Sequence, residues 1–135
     1  MVAALRVSWF AWKLPARSRW ADDLFAEARL LHRLGFHTAA AMTARAALDR
    51  LIRPAIATGS PSSSEIAERC SAGLCLRRLV EQRQISSEQG GVVRRALRRL
   101  NKVCHGQRCG RVEAGELLSL ALEARAALLT AKFYA

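Results

Sequence analysis

Apolar residues recur every three to four positions along most of this chain, which is the spacing of one face of an α-helix. No stretch shows the strict alternation of apolar and polar residues that is typical of a half-buried strand. Six segments fit helices, and they span residues 17–34, 38–56, 62–69, 74–83, 87–104 and 113–133. Because the connections are short and no internal repeat is present, we predict an all-α, single-domain antiparallel helical bundle.

Residues that start and stop helices support these boundaries. Gly35 and Gly106 each follow a predicted helix, where a left-handed residue commonly ends it. Ser62 with a glutamate three residues later fits a capping box for the short helix, and Ser86 or Ser87 can cap the next-to-last one. We expect Pro54 to end or kink the last turn of the second helix.

Residues 1–16 do not follow the helical pattern, and we treat them as an aromatic arm that precedes a helical bundle domain of residues 17–135. The arm holds Trp9, Phe10 and Trp12 within four positions. It could pack back on the bundle or cross to a second subunit, because aromatic residues are enriched at interfaces.

The arm does not resemble a signal peptide. Arg6 and Lys13 interrupt its apolar run, and no small-residue cleavage site follows. No apolar run in the chain approaches the roughly 18 residues that a membrane span needs. We therefore expect a cytoplasmic protein that does not associate with membranes.

Positive charge is the main compositional signal. The chain has 22 Lys and Arg residues against 11 Asp and Glu, a net charge of +11. Residues 77–111 hold ten of the basic residues and only two acidic ones. Such a block suits a polyanion, so nucleic acid is the first interpretation. An acidic protein partner and a merely solvated face remain alternatives.

The helix predicted over 87–104 separates charge from apolar residues. At about 100° per residue, Arg94, Arg98, Asn101 and His105 fall within an arc of about 60°. A second basic edge lies to one side and consists of Arg95, Arg99 and Lys102. The opposite arc is apolar and consists of Val93, Ala96, Leu97, Leu100, Val103 and Cys104.

The polar arc combines groups that suit RNA chemistry. His105 can give or take a proton near neutral pH. Arg98 can hold a phosphate with two hydrogen bonds and stabilise charge that develops on it. Asn101 is placed to orient the imidazole or the phosphate. The alternative for His105 is a cap of the helix C-terminus, assisted by the helix dipole.

Three segments of this chain resemble the HEPN superfamily: residues 39–49, 74–86 and, most specifically, Arg98–Gly106. The similarity covers roughly residues 20–130 and is greatest to the small HEPN-like proteins found beside restriction, toxin–antitoxin and abortive-infection genes. It implies a helical bundle that dimerises. Many HEPN domains are metal-independent endoribonucleases that carry Arg, four to six further residues, and then His.

The resemblance assigns the motif histidine to His105. Arg99, with five intervening residues, and Arg98, with six, both fit the motif arginine. Helical geometry favours Arg98, which lies about 20° from His105, whereas Arg99 lies about 120° away. The polar residue that directly follows the motif arginine in the best-marked nucleases is missing here, and Asn101 could fill that role from its own position.

We therefore expect a homodimeric RNA-binding protein of the toxin or defence type, with Arg98, Asn101 and His105 catalytic and no cofactor. The nucleic-acid-binding residues would be Arg94, Arg95, Arg99, Lys102 and Arg108. The alternative is a non-catalytic interaction or scaffold subunit of a defence or toxin–antitoxin complex. Its basic face would bind nucleic acid or an acidic partner such as a cognate antitoxin.

Four cysteines form two pairs with equal spacing: Cys70 with Cys75, and Cys104 with Cys109. Two close pairs could supply the four thiolates of a zinc site, although four intervening residues is a looser spacing than the usual two. A disulfide or redox role is a second interpretation. Burial as ordinary small apolar residues is the third, and it fits Cys104 in particular because that residue lies on the apolar arc.

Overall fold

A computed structural model describes residues 16–56 and 69–134, and no strand occurs in these residues. Its five α-helices are α1 (Ala16–Arg33), α2 (His37–Ile56), α3 (Ala72–Glu81), α4 (Ser87–Cys104) and α5 (Arg111–Leu129). A short 3₁₀ turn, Lys132–Tyr134, follows α5. The all-α prediction is confirmed. The aromatic arm, apart from Ala16, and residues 62–68 of the predicted short helix lie outside the described residues.

Three of the helices end in the same hydrogen-bonded turn. After α1, the N–H of Phe36 donates to the carbonyl of Leu31, and the N–H of Gly35 donates to that of His32. These two bonds define a Schellman motif, and Gly35 has the positive φ, +89°, that it requires. The same pair of bonds closes α3 at Arg83 and α4 at Gly106.

Serine side chains cap the starts of α3 and α4. The Ser86 hydroxyl accepts from the N–H of Gln89, and the Gln89 side chain accepts from the N–H of Ser86. This is a complete capping box, so Ser86 rather than Ser87 is the cap. At α3, the Ser71 hydroxyl accepts from the N–H of Leu74, and the helix starts two residues before the predicted boundary.

Helix α2 occupies the centre of the bundle and packs against α1, α3, α4 and α5. Its buried side chains include Leu48, Leu51 and Ile52. Helix α5 lies antiparallel to α1, because Arg125 pairs with Asp22 at one end and Gly115 lies beside His32 at the other. The hydrophobic core therefore surrounds α2, and the polar face of α4 lies outside this core.

The inward face of α2 differs in part from the one that the spacing of its apolar residues predicts, which consists of Met42, Ala46, Leu48, Leu51 and Ile52. Met42 is 46% exposed and Ala46 is exposed, whereas Ala40, Ala41, Ala44 and Ala47 are buried. On α1, the same spacing predicts an apolar face that extends to Leu34, but Leu34 is 62% exposed. Alanines lie on several sides of α2, so the spacing of its apolar residues does not define one inward face. Close packing between helices buries the small alanine side chains and leaves Met42 exposed.

The 3₁₀ turn Lys132–Tyr134 is held by contacts with residues that are distant in sequence. The Tyr134 hydroxyl donates to the carbonyl of Leu51, and the N–H of Phe133 donates to the side-chain oxygen of Gln84. Helix α5 accordingly stops at Leu129, four residues before the predicted boundary. Pro54, by contrast, lies inside α2, which continues to Ile56.

Candidate nucleic-acid interface

Helix α4 presents a row of exposed cations on the side that faces away from the core. Its buried side chains are Val93, Ala96, Leu97, Leu100 and Val103. We call the exposed row the α4 ridge, and it consists of Arg94, Arg95, Arg98, Arg99, Lys102 and His105. The predicted separation of apolar and basic faces is therefore confirmed for these residues. Arg94 and His105 are about 16 Å apart along the helix axis.

His105 is the residue that caps the C-terminus of α4. Its N–H donates to the carbonyl of Asn101 at 2.9 Å, and the Schellman bonds of Gly106 and Gln107 follow directly. The helix is thus regular up to His105, which keeps Arg98 and His105 on one face. The imidazole is exposed and has no hydrogen-bond partner among the described residues. It lies seven positions after Arg98, a rise of about 10.5 Å.

Asn101 lies at the edge of this face and contacts α2. Its Oδ1 accepts a hydrogen bond of 2.7 Å from Nε of Arg45. Arg45 also lies 3.6 Å from the carboxylate of Asp49, with which it forms an i, i+4 ion pair on α2. The side-chain oxygen of Asn101 is therefore bound to Arg45, and no hydrogen bond from Asn101 to the His105 ring occurs within the described residues.

Arg45 is the residue that the sequence did not assign to this region. Its half-buried guanidinium contacts Asn101 of α4, which lies one helical turn before His105. The sequence feature that could have identified Arg45 is its position as a charged residue within the alanine-rich run of α2. Sequence spacing alone shows its partner at i+4 but not the contact with Asn101, which is 56 positions away.

The basic residues of 77–111 differ in whether a carboxylate accompanies them. Arg99 lies 3.3 Å from Glu116 of α5, and Arg77 and Arg78 both approach Glu81. Five other predicted nucleic-acid or catalytic cations are exposed and have no ion-pair partner within 16–56 and 69–134: Arg94, Arg95, Arg98, Lys102 and Arg108. Within residues 77–111, five of the seven cations without an ion-pair partner among the described residues therefore lie on α4 and the loop that follows it.

A shallow groove of about 290 Å³ adjoins the ridge between α4 and α5. It is lined by Arg99, Lys102, Val103, Gln107, Glu113 and Leu117. Two cations on its α4 side and an apolar floor could receive a phosphate and part of a base. Glu113 is the one acidic residue that lines it.

The four cysteines occupy different environments and form no disulfide. Cys75 and Cys109 are buried, Cys70 is half-buried and Cys104 is exposed. Burial raises the pKa of the Cys75 thiol, and Arg53 partly opposes this change. Burial also raises the pKa of Cys109, with a further increase from Glu113. Both groups are therefore neutral thiols at neutral pH.

The zinc set Cys70, Cys75, Cys104 and Cys109 is not assembled. Across the described ranges, no three or more His, Cys, Asp or Glu side chains form a group that could hold a metal ion. The expected burial of Cys104 is wrong. It is the last residue of α4, and the apolar side of a helix is buried only where a neighbouring element packs against it.

Comparison with protein-family models, curated proteins and solved structures finds no match for this chain. None of the helices in the described ranges combines the length and the apolar character that crossing a bilayer requires. The candidate interface therefore depends on the chemistry of the α4 ridge itself.

Proposed function

We propose that this protein binds single-stranded RNA along the α4 ridge and cleaves it without a metal ion, as a homodimer of the HEPN type. One observation carries the proposal: a row of exposed cations, of which Arg99 alone has a carboxylate partner among the described residues, leads along α4 to an exposed histidine. Phosphates would bind Arg94, Arg95, Arg98 and Lys102, with Arg108 extending the contact beyond the helix.

In the proposed reaction the ribose 2′-hydroxyl attacks the adjacent phosphorus. The 2′-oxygen forms a bond to phosphorus while the bond to the 5′-oxygen breaks, which leaves a 2′,3′-cyclic phosphate and a 5′-hydroxyl. A base takes the proton of the 2′-hydroxyl, and an acid protonates the departing 5′-oxygen. His105 serves one of these roles, and a guanidinium stabilises the negative charge on the phosphorane-like transition state.

Arg98 is the first candidate for that guanidinium and Arg99 the second. Arg98 shares a face with His105, whereas Arg99 is directed to α5 by Glu116 at 3.3 Å. The rise of about 10.5 Å between Arg98 and His105 is long for two side chains that touch one phosphate. Pairing of two chains about a two-fold axis would bring two ridges to one groove, where Arg98 of one chain can reach a phosphate that contacts the partner's His105. Light scattering at tens of micromolar should then give the mass of a dimer, and a monomer mass would count against it.

The second candidate function is a non-catalytic binding module, such as a subunit of a defence or toxin–antitoxin complex. The engagement of Asn101 by Arg45 favours it, because the His105 ring then lacks the side chain expected to orient it. Its ligand would be nucleic acid or an acidic protein such as an antitoxin.

Cleavage of labelled single-stranded RNA in excess EDTA separates these functions. The nuclease predicts EDTA-resistant cleavage with cyclic-phosphate ends, which His105→Ala abolishes. Binding without cleavage by the wild type leaves the binding module. A binding constant for RNA that does not decrease with salt would contradict both nucleic-acid proposals.

A further inference from the structure

A second basic groove lies between α1 and α5, with a volume of about 340 Å³. Helix α1 contributes Arg29, His32 and Arg33, which fall on one helix face because they are three and four positions apart. Helix α5 contributes Gly115, Leu118, Ser119 and Leu122. The groove next to the α4 ridge is lined by different α5 residues, so the two grooves lie on different sides of α5.

His32 is held in the groove wall by a second histidine. Its Nδ1 lies 2.9 Å from Nδ1 of His37, and both rings are half-buried. One ring must donate and the other accept. When His37 donates, neutral His32 carries its own proton on Nε2. When His32 donates, its protonated form also carries a proton on Nε2. Both states offer an Nε2–H donor, so an anion beside Nε2 would favour them over the neutral state in which His32 donates from Nδ1 and Nε2 carries no proton.

Gly115 leaves space opposite that donor. A Cβ atom built on Gly115 would lie 3.7 Å from Nε2 of His32, so a longer side chain would occupy the groove at this point. The Ser119 hydroxyl, one helical turn further along α5, adds a group that can donate to an oxygen.

The groove carries positive charge that no carboxylate neutralises. None of its lining residues is acidic, and Arg29 and Arg33 have no ion-pair partner among the residues described. Helices α1 and α5 carry six carboxylates, none of which lines the groove, and two of them are paired elsewhere: Glu116 with Arg99 and Asp22 with Arg125. Two guanidinium groups, an imidazole N–H and a hydroxyl converge on one space.

From this arrangement we propose that the groove between α1 and α5 binds a phosphate group with unesterified oxygens, either free phosphate or a phosphomonoester. Arg29 and Arg33 bind the phosphate oxygens in two-pronged fashion, His32 donates from Nε2, and Ser119 donates from its hydroxyl. His37 is a positioning residue that fixes the His32 ring. This site is independent of RNA binding at the α4 ridge and survives if the proposed nuclease activity fails.

The test uses the imidazole signals of the wild-type chain, which has three histidines. Inorganic phosphate is titrated at constant pH and ionic strength, with chloride as the balancing anion, and the Cε1–H signals are followed by NMR. We expect the His32 signal to shift and saturate at a lower phosphate concentration than the His105 signal. A His32 signal that does not shift, or that shifts in parallel with His105, overturns the proposal.

Variants locate the binding. Arg29→Gln and Arg33→Gln should each weaken phosphate binding about tenfold, the effect of losing one charge-assisted contact. Arg77→Gln is the matched control, because it removes the same charge from α3, outside the groove, and should change affinity less than twofold. Equal weakening by Arg29→Gln and Arg77→Gln would mean that net charge alone attracts the phosphate, and the site would be refuted.

A five-nucleotide DNA, tested with and without a 5′-phosphate, shows whether the bound phosphate is a terminal phosphomonoester or a small phosphate compound. If the phosphorylated DNA competes with inorganic phosphate and the unphosphorylated DNA does not, a terminal phosphate is supported as the ligand. Binding of inorganic phosphate without competition from either DNA would support a small phosphate compound. Equal competition by both DNAs would show that backbone diesters suffice and would overturn the requirement for unesterified oxygens.

Discussion

Arg83 closes helix α3 in a backbone conformation that suits glycine. Its φ is +54°, and it is the single non-glycine residue with a positive φ in the described structure. It takes the position that Gly35 and Gly106 take after α1 and α4. An L-residue with a Cβ atom is strained there by about 1 kcal/mol.

Arg83→Gly should therefore raise the free energy of unfolding by up to about 0.5 kcal/mol, because the strain relieved exceeds the cost of the greater entropy of glycine in the unfolded chain. Urea denaturation measures this change. Gln82→Gly is the matched control, because Gln82 has a φ of −77° and gains no relief, so it should destabilise. Loss of stability in Arg83→Gly would show that the turn is not strained.

Cys75 links burial to the pH dependence of stability. Its pKa is raised in the folded state by burial, so the folded chain holds the thiol proton more tightly than the unfolded chain. The resulting contribution of Cys75 to the free energy of unfolding is complete below the ordinary thiol pKa of about 8.5. It is lost as pH rises through the higher folded-state pKa.

We expect the free energy of unfolding, measured with reductant, to decrease from pH 8 to pH 10 and to decrease less steeply in Cys75→Ala. The exposed Cys104→Ala is the control and should retain the wild-type pH dependence. An identical pH profile for Cys75→Ala and the wild type would contradict the link.

The contact between Asn101 and Arg45 joins two helices, so it belongs to the scale of elements. A hydrogen bond of 2.7 Å from a half-buried guanidinium holds α4 against α2. Asn101→Ala should lower the free energy of unfolding by about 1–2 kcal/mol, because Arg45 loses its acceptor. Arg98→Ala, on the exposed ridge, should change it by less than about 0.5 kcal/mol.

Calorimetry or urea denaturation distinguishes these outcomes. If Asn101→Ala leaves stability unchanged but abolishes RNA cleavage, Asn101 acts at the site as first predicted from its place on the polar arc, and the structural role is wrong.

The sequence predicted elements best where charge and apolar residues were clearly separated. In α4, buried Leu97 and Leu100 and exposed Arg94 and Arg98 follow the helical period, and the capping box and Gly106 define its ends. In α2, alanines on several sides left the inward face undetermined, and packing against neighbouring helices decided it.

Contacts between residues far apart in sequence could not be predicted from one chain. The bond of Arg45 to Asn101 and that of Tyr134 to Leu51 depend on how helices pack, and no local pattern encodes them. Within the candidate site, the ridge was therefore predictable, whereas the engagement of Asn101 and the pairing of Arg99 with Glu116 were not.

At the scale of the whole molecule, the distribution of positive charge sets the salt dependence of RNA binding. The exposed, unpaired cations of α4 and its following loop number five within the described structure: Arg94, Arg95, Arg98, Lys102 and Arg108. If all five cations contact phosphates of single-stranded RNA, the logarithm of the RNA-binding constant should decrease linearly as the logarithm of the salt concentration increases. The expected slope is about −3.5.

Replacing Arg94 and Arg98 together by glutamine should reduce that slope by about 1.4, whereas replacing Arg77 and Arg78, which approach Glu81, should change it little. Fluorescence anisotropy at several salt concentrations measures both. Equal reductions would place the bound RNA across the whole basic surface rather than along α4.

The central claim, that the face of α4 shared by Arg98 and His105 cleaves RNA, is tested most directly by the order of single-turnover cleavage rates in EDTA for three variants. His105→Ala and Arg98→Ala should each lower the rate by two to four orders of magnitude, about 3–5 kcal/mol of barrier, while circular dichroism shows an unchanged helical fold. Arg99→Ala should weaken binding and leave the chemical step largely intact. Loss of cleavage in Arg99→Ala with retention in Arg98→Ala would contradict the assignment, and so would full activity in His105→Ala.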